Sequence, residues 1–77
     1  SAIETRAILF AKSPTRFNPT CNQWDFIADI PAHNTTLDIG SPICSIYGRG
    51  KTASESVRHA MYNLNRLEST LTVEDVE

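Results

Sequence analysis

Residues 47–52 (YGRGKT) end like a phosphate-binding loop, whose pattern is G-x-x-x-x-G-K-[ST]. On that reading Gly50, Lys51 and Thr52 would cradle nucleotide phosphates and magnesium, and the chain would be a nucleotide hydrolase. The pattern requires glycine five residues before Gly50, and Ser45 stands there. Without that glycine the backbone cannot curl around the phosphates. The loop also belongs in a parallel sheet with an acidic residue downstream for magnesium, and only one helical segment and a tail follow Thr52. A weaker reading makes Arg49, Gly50 and Lys51 an anion site at a helix N-terminus. The competing reading, which the residues favour, gives Gly48 and Gly50 to turn geometry and leaves Arg49 and Lys51 solvated.

The remaining reactive side chains do not assemble into a site. Asp25 and Asp29 are four apart on a predicted strand, which places them on one face about 13 Å apart, too far for paired carboxylates. Cys21 and Cys44, with His33 and His59, lack metal-ligand spacing, and no C-x-x-C pair occurs. Cys21 has no basic neighbour to lower its pKa. His59 reads as a surface or boundary residue of the helix, and His33 as a loop residue. No serine sits in a G-x-S-x-G context. No catalytic or metal-ligating set is expected on this chain.

Composition agrees. At 77 residues, 40% of them apolar and 21% charged, the chain is one small globular domain. A domain of this size buries only about 60–65% of its unfolded surface, so its core is thin. The formal charge of −2 opposes a dedicated nucleic-acid binder. Two unpaired thiols, no membrane-length apolar run and no signal-peptide order point to a cytoplasmic protein. The absence of an initial Met suggests a piece of a longer polypeptide.

The elements follow from periodicity. Residues 3–11 (IETRAILFA) read as a strand whose later half is apolar on both faces, as if covered on both sides. Pro14 and Pro19 then place a loop on the surface. Residues 24–30 (WDFIADI) alternate, with Trp24, Phe26, Ala28 and Ile30 on the core face. Residues 35–39 (TTLDI) read as a short strand with Leu37 and Ile39 inward. Gly40 supplies the positive φ of a tight turn before the strand at residues 43–47.

From Thr52 the period becomes 3.6 residues. Ala53, Val57, Ala60, Met61, Leu64, Leu67 and Leu71 form an apolar stripe, and Thr52 with Glu55 fits a capping box. The closing helix spans residues 52–71, and 72–77 form an acidic tail expected to be disordered. Three or four strands followed by one amphipathic helix give a β-rich α+β module, with an antiparallel sheet of three to five strands and the helix laid on it.

The order of motifs resembles a known family. Residues 1–11 match an A-x-E-x-R-x-x-x-x-A strand, through Ala2, Glu4, Arg6 and Ala11, and Phe17 and Pro19 match the F-x-P loop after it. Residues 50–57 (GKTASESV), followed by Ala60 and Met61, are similar to a G-x-[ST]-x-x-E-A helix. Together these resemble the C-terminal domain of biotin-carboxylase-like ATP-grasp ligases. Residues 24–31 (WDFIADIP) and 40–46 (GSPICSI) look most like the uncharacterised ATP-grasp proteins of methylotrophs and methanogens. The likeness covers most of residues 2–70.

The resemblance implies a small half-barrel, a rudimentary relative of the hybrid barrels that carry lipoyl and biotinyl groups. It implies a non-catalytic accessory domain that packs on and shapes a preceding ATP-grasp domain. That domain would hold ATP and magnesium and join a carboxylate to an amine or thiol. The Met-Lys-Met turn that carries biotin is absent from this sequence, so no cofactor is expected on the chain itself. The other reading is a free-standing interaction or dimerisation module, with a homodimer partner in place of the ATP-grasp domain.

Overall fold

The computed structural model describes residues 2–19 and 25–73. Six strands and one helix follow in the order β1 (Ile3–Phe10), β2 (Thr15–Phe17), β3 (Ile27–Ala28), β4 (Thr35–Leu37), β5 (Pro42–Gly50), α1 (Ala53–Glu68) and β6 (Thr72–Val73). The fold is the strand-rich α+β class expected, and its strands divide into two antiparallel three-stranded sheets. The larger has the order β1-β5-β3 and the smaller β4-β2-β6.

β1 and β5 are the spine. They pair antiparallel from Ile3 opposite Gly50 to Leu9 opposite Cys44, with an irregularity between Leu9 and Phe10. Residues opposite each other share a face. Ile3, Thr5, Ala7 and Leu9 therefore lie on one face with Gly50, Gly48, Ile46 and Cys44, and α1 packs on that face. The outer face carries Glu4, Arg6 and Ile8 of β1 with Arg49, Tyr47 and Ser45 of β5. Ile8, on this face, is 43% exposed. The irregularity after Leu9 breaks the alternation before Phe10, which is 49% exposed and lines a concavity with Glu68 and Leu71. β1 is thus covered on one side, where its apolar run had predicted cover on both. A single helix can cap only one face of a sheet.

The core joins the two sheets through Leu9, Ala11, Phe17, Ile43, Cys44, Ile46, Leu64 and Leu67. Beyond β1 the backbone bonds continue, Ala11 donating to Ser41 O at 2.9 Å and Gly40 to Ala11 O at 2.7 Å. Gly40 has φ of 85° as the sequence predicts, in a turn closed by Ser41 N–H to Asp38 O at 3.0 Å. A Cβ at Gly40 would meet nothing within 4 Å, so conformation and not space demands the glycine there.

α1 begins at Thr52, whose hydroxyl accepts from Glu55 N–H at 3.1 Å. The Glu55 carboxylate returns to Lys51 N–H at 2.9 Å, one residue earlier than the usual capping box. Such a cap contributes about 1 kcal/mol. The helix ends at Glu68 rather than residue 71, with Ser69 N–H bonded to Asn65 O.

Its buried face also departs from the apolar stripe. Ser56, Ala60, Asn63, Leu64 and Leu67 are buried, while Val57 and Met61 are 49% and 46% exposed. Small and polar residues take the contact because the opposing strand offers glycines, and close approach leaves no room for larger side chains.

Three further expectations change. The alternating segment at 24–30 pairs only at Ile27–Ala28, opposite Ile46 and Ser45. That register turns Ile27, with Ile46, toward the helix, while Ile30 is 53% exposed; Trp24 and Cys21 lie outside the described residues. Ile39 is 67% exposed because β4 stops at Leu37 and the Asp38–Ser41 turn carries it outward. Thr72 and Val73, assigned by sequence to the tail, pair with Arg16 and Thr15. Among the described residues no helix is long and apolar enough to cross a membrane.

Candidate functional site

Most of the segment 47–52 is strand and not turn. Gly48, Arg49 and Gly50 are the last residues of β5, and the strand-to-helix connection is confined to Lys51 and Thr52. Gly48 and Gly50 face the helix, so Arg49 between them faces away. Its guanidinium Nε donates to Glu4 Oε2 at 3.2 Å. Lys51 is exposed, and its backbone N–H is taken by the Glu55 carboxylate. Arg49 and Lys51 therefore do not converge on the helix start. An internal carboxylate already sits where an anion would approach, and the hydroxyl of Thr52 takes the N–H of Glu55.

A different constellation stands at this end of β5. Among the described residues β3 pairs with β5 only at Ile27 and Ala28. Tyr47 N–H reaches Phe26 O at 2.8 Å. Its carbonyl accepts from Asn63 Nδ2 at 2.9 Å, and Arg49 N–H donates to His59 Nδ1 at 2.8 Å. Two helix side chains thus bond backbone groups on the β3 side of β5 that no described strand pairs, satisfying groups that would otherwise be costly to bury. The bond to Tyr47 O fixes the amide orientation of Asn63, and the bond from Arg49 requires an unprotonated Nδ1 on His59. Asn63 is 1% exposed.

This arrangement depends on Gly48. A Cβ there would lie 2.5 Å from Ser56 O and 2.6 Å from Ala60 Cα, against the helical hydrogen bond those residues share. Thr5, opposite Gly48, is joined to the same turn of helix. Ser56 Oγ donates to Ala53 O at 2.8 Å, so Thr5 Oγ1 is the donor in its 2.6 Å contact with Ser56 Oγ. Sequence reasoning placed His59 at a boundary but missed Asn63 and Ser56. The available signal was the pairing of G-x-G in a strand with small residues four apart, Ser56 and Ala60, in the next helix.

The residues around this corner line an open cleft of about 730 Å³. Arg66 stacks over Phe26 at 5.7 Å and over Tyr62 at 5.5 Å, forming one wall. Glu4, Asp25, Arg49 and His59 also line it. A smaller apolar concavity of about 200 Å³ lies between Phe10, Ile43, Leu71 and Val73, near the Lys12–Glu68 ion pair.

On the outer face Arg6, Ser45 and Asp29 form a network. Arg6 Nε and Nη2 donate to Ser45 Oγ at 3.1 and 2.9 Å, and that hydroxyl donates to Asp29 Oδ2 at 2.8 Å. Asp29 is solvent-exposed, its side chain 69% accessible, and is also tied to Ser45 and Arg6. It sits at φ of 57°, a conformation Asp tolerates better than most residues. Ser45, the residue that broke the phosphate-loop pattern, is 3% exposed and held between a cation and an anion. Among the described residues no imidazole bonds to it, and its proton is directed at the weakly basic Asp29 carboxylate. Among the described residues no three His, Cys, Asp or Glu side chains converge as metal ligands. His33 is exposed in the loop before β4.

Cys44 lies on the helix-facing side of β5 at 4% exposure. Burial, and secondly the charge of Asp29, raise its thiol from 9.0 to about 11. A thiol so raised stays protonated and unreactive at neutral pH. We expect native protein at pH 8 to leave Cys44 unmodified by a maleimide, as read by peptide mass mapping, and denatured protein to label it fully. The folded state holds this proton more tightly than the unfolded state. Its contribution to stability is therefore present below pH 9 and is lost as pH rises toward about 11.

No protein family, no curated protein and no solved structure matches this chain.

Proposed function

We propose that the chain is a non-catalytic accessory domain of an ATP-grasp ligase of the biotin-carboxylase-like kind. It packs on the catalytic domain and helps shape that domain's site. The ordered motifs at Ala2–Ala11, Phe17–Pro19 and Gly50–Met61 support the family assignment. The observation that carries the packing role is the uncovered outer face of the larger sheet. There Ile8 is 43% exposed beside the Arg6–Ser45–Asp29 network. Apolar side chains with an ordered polar border suit burial against another domain.

Among the described residues the helix start, where the sequence offered an anion seat, does not favour a nucleotide phosphate. The helix start is occupied by Glu55 and Thr52, and Arg49 points to the opposite face from it. Both ligands would belong to the preceding domain, and no step of a ligase reaction is assigned here. Calorimetric titration of the isolated chain with MgATP is expected to give no binding heat, and micromolar affinity would overturn the accessory reading. The natural reading frame is expected to encode an ATP-grasp domain upstream of Ser1. A start codon directly before Ser1 would leave the second reading, a free-standing interaction module.

A further inference from the structure

We propose that β1 is a self-association edge, through which a second copy of this chain extends the larger sheet across a two-fold axis at Thr5. The inference does not depend on the ATP-grasp reading; it uses the edge of β1 and the adjoining flank of α1, and shares only Glu4 and Arg6 with the outer face.

Among the described residues β1 pairs only with β5, so one side of this eight-residue strand presents unpaired backbone donors and acceptors. The helix marks that same side. His59, Asn63 and Arg66 reach Arg49, Tyr47 and Phe26, toward the β3 edge. At 100° per residue, Val57 and Met61 lie on the opposite flank, with Glu68, which meets Lys12 just beyond β1. These two apolar side chains, 49% and 46% exposed, therefore overhang the free strand. Ile3, 43% exposed on the helix-facing side of β1, continues the strip.

The partner that fits is a second copy, because the edge is complementary to itself. Placing Thr5 opposite the partner's Thr5 in an antiparallel pair sets Glu4 against the partner's Arg6, and Arg6 against the partner's Glu4. Both pairs fall on the outer face, where opposite charges across strands are favourable. Ile3 meets the partner's Ala7 on the other face. Thr5 is bonded to Ser56, so an axis there brings together the helix turns that carry Val57. With strands about 4.8 Å apart, helices seated on β5 and leaning toward β1 would lie about 10–14 Å from each other, a span that Val57 and Met61 side chains can fill.

Analytical ultracentrifugation of the 77-residue chain tests this. The wild type is expected to show a concentration-dependent monomer–dimer equilibrium. The double variant Val57→Glu, Met61→Lys should raise the dissociation constant about tenfold or more with an unchanged circular-dichroism spectrum. Glu4→Arg should weaken the dimer by putting like charges opposite each other, and adding Arg6→Glu should restore it. A chain that stays monomeric at every accessible concentration would overturn the proposal. So would a dimer indifferent to these edge variants, or one lost only on Ile8→Glu, which would assign association to the outer face.

Discussion

Gly48→Ala is expected to destabilise the chain by about 3 kcal/mol or more. The methyl group would collide with the backbone of Ser56 and Ala60, at the centre of the helix. Backbone inside a helix cannot step aside as the end of a flexible side chain can. The helix must lift, and lifting stretches the bonds from Asn63 to Tyr47 O and from Arg49 N–H to His59 at once. Each loses a partner that replaces strand pairing, so the cost exceeds that of the overlap alone. Urea denaturation followed by circular dichroism measures it. Stability within about 1 kcal/mol of wild type would mean that helix and strand are further apart than described here. Gly40→Ala serves as a contrast, because its cost comes from positive φ and not from contact.

Ile46→Ala should cost about 2–5 kcal/mol. Ile46 is wholly buried, sits at the middle of the central strand, and has Ala7 on one side and Ile27 on the other. The helix closes over it, so little can collapse into the space left. Domains of this length have stabilities of roughly 5–10 kcal/mol, so the variant should unfold well below the wild-type temperature. Its thermal midpoint decides the matter. The neighbouring Ile8→Ala, on the uncovered face, is expected to change stability by less than about 1 kcal/mol. Similar losses at the two positions would mean that the outer face is covered in the isolated chain.

The contrast between Ile46 and Ile8 shows where sequence reading stopped. Both lie in apolar runs that suggest burial. Only the number of layers separates them, and one helix is available for two faces. The same limit explains Val57 and Met61. They satisfy the helical period of the stripe, yet the helix is rotated so that Ser56, Ala60 and Asn63 meet the glycines. Periodicity reports that a face exists, whereas its exact centre depends on what lies opposite. Ile39 was misplaced for a related reason, since the alternation of a strand has no meaning once the chain enters a turn.

Local sequence chemistry determined the elements that local energy controls. The threonine cap, the glycine turn at residue 40, the strand leading into residue 47 and the α+β class each rest on interactions within a few residues. Tertiary structure decided the rest. It made YGRGKT mostly strand, used Gly48 as a seat for the helix, and used His59 and Asn63 to complete a sheet edge. It also divided the strands into two sheets, bound Ser45 between Arg6 and Asp29, and left β1 with an open side. Those outcomes depend on which distant backbones approach each other, and no local propensity encodes that distance.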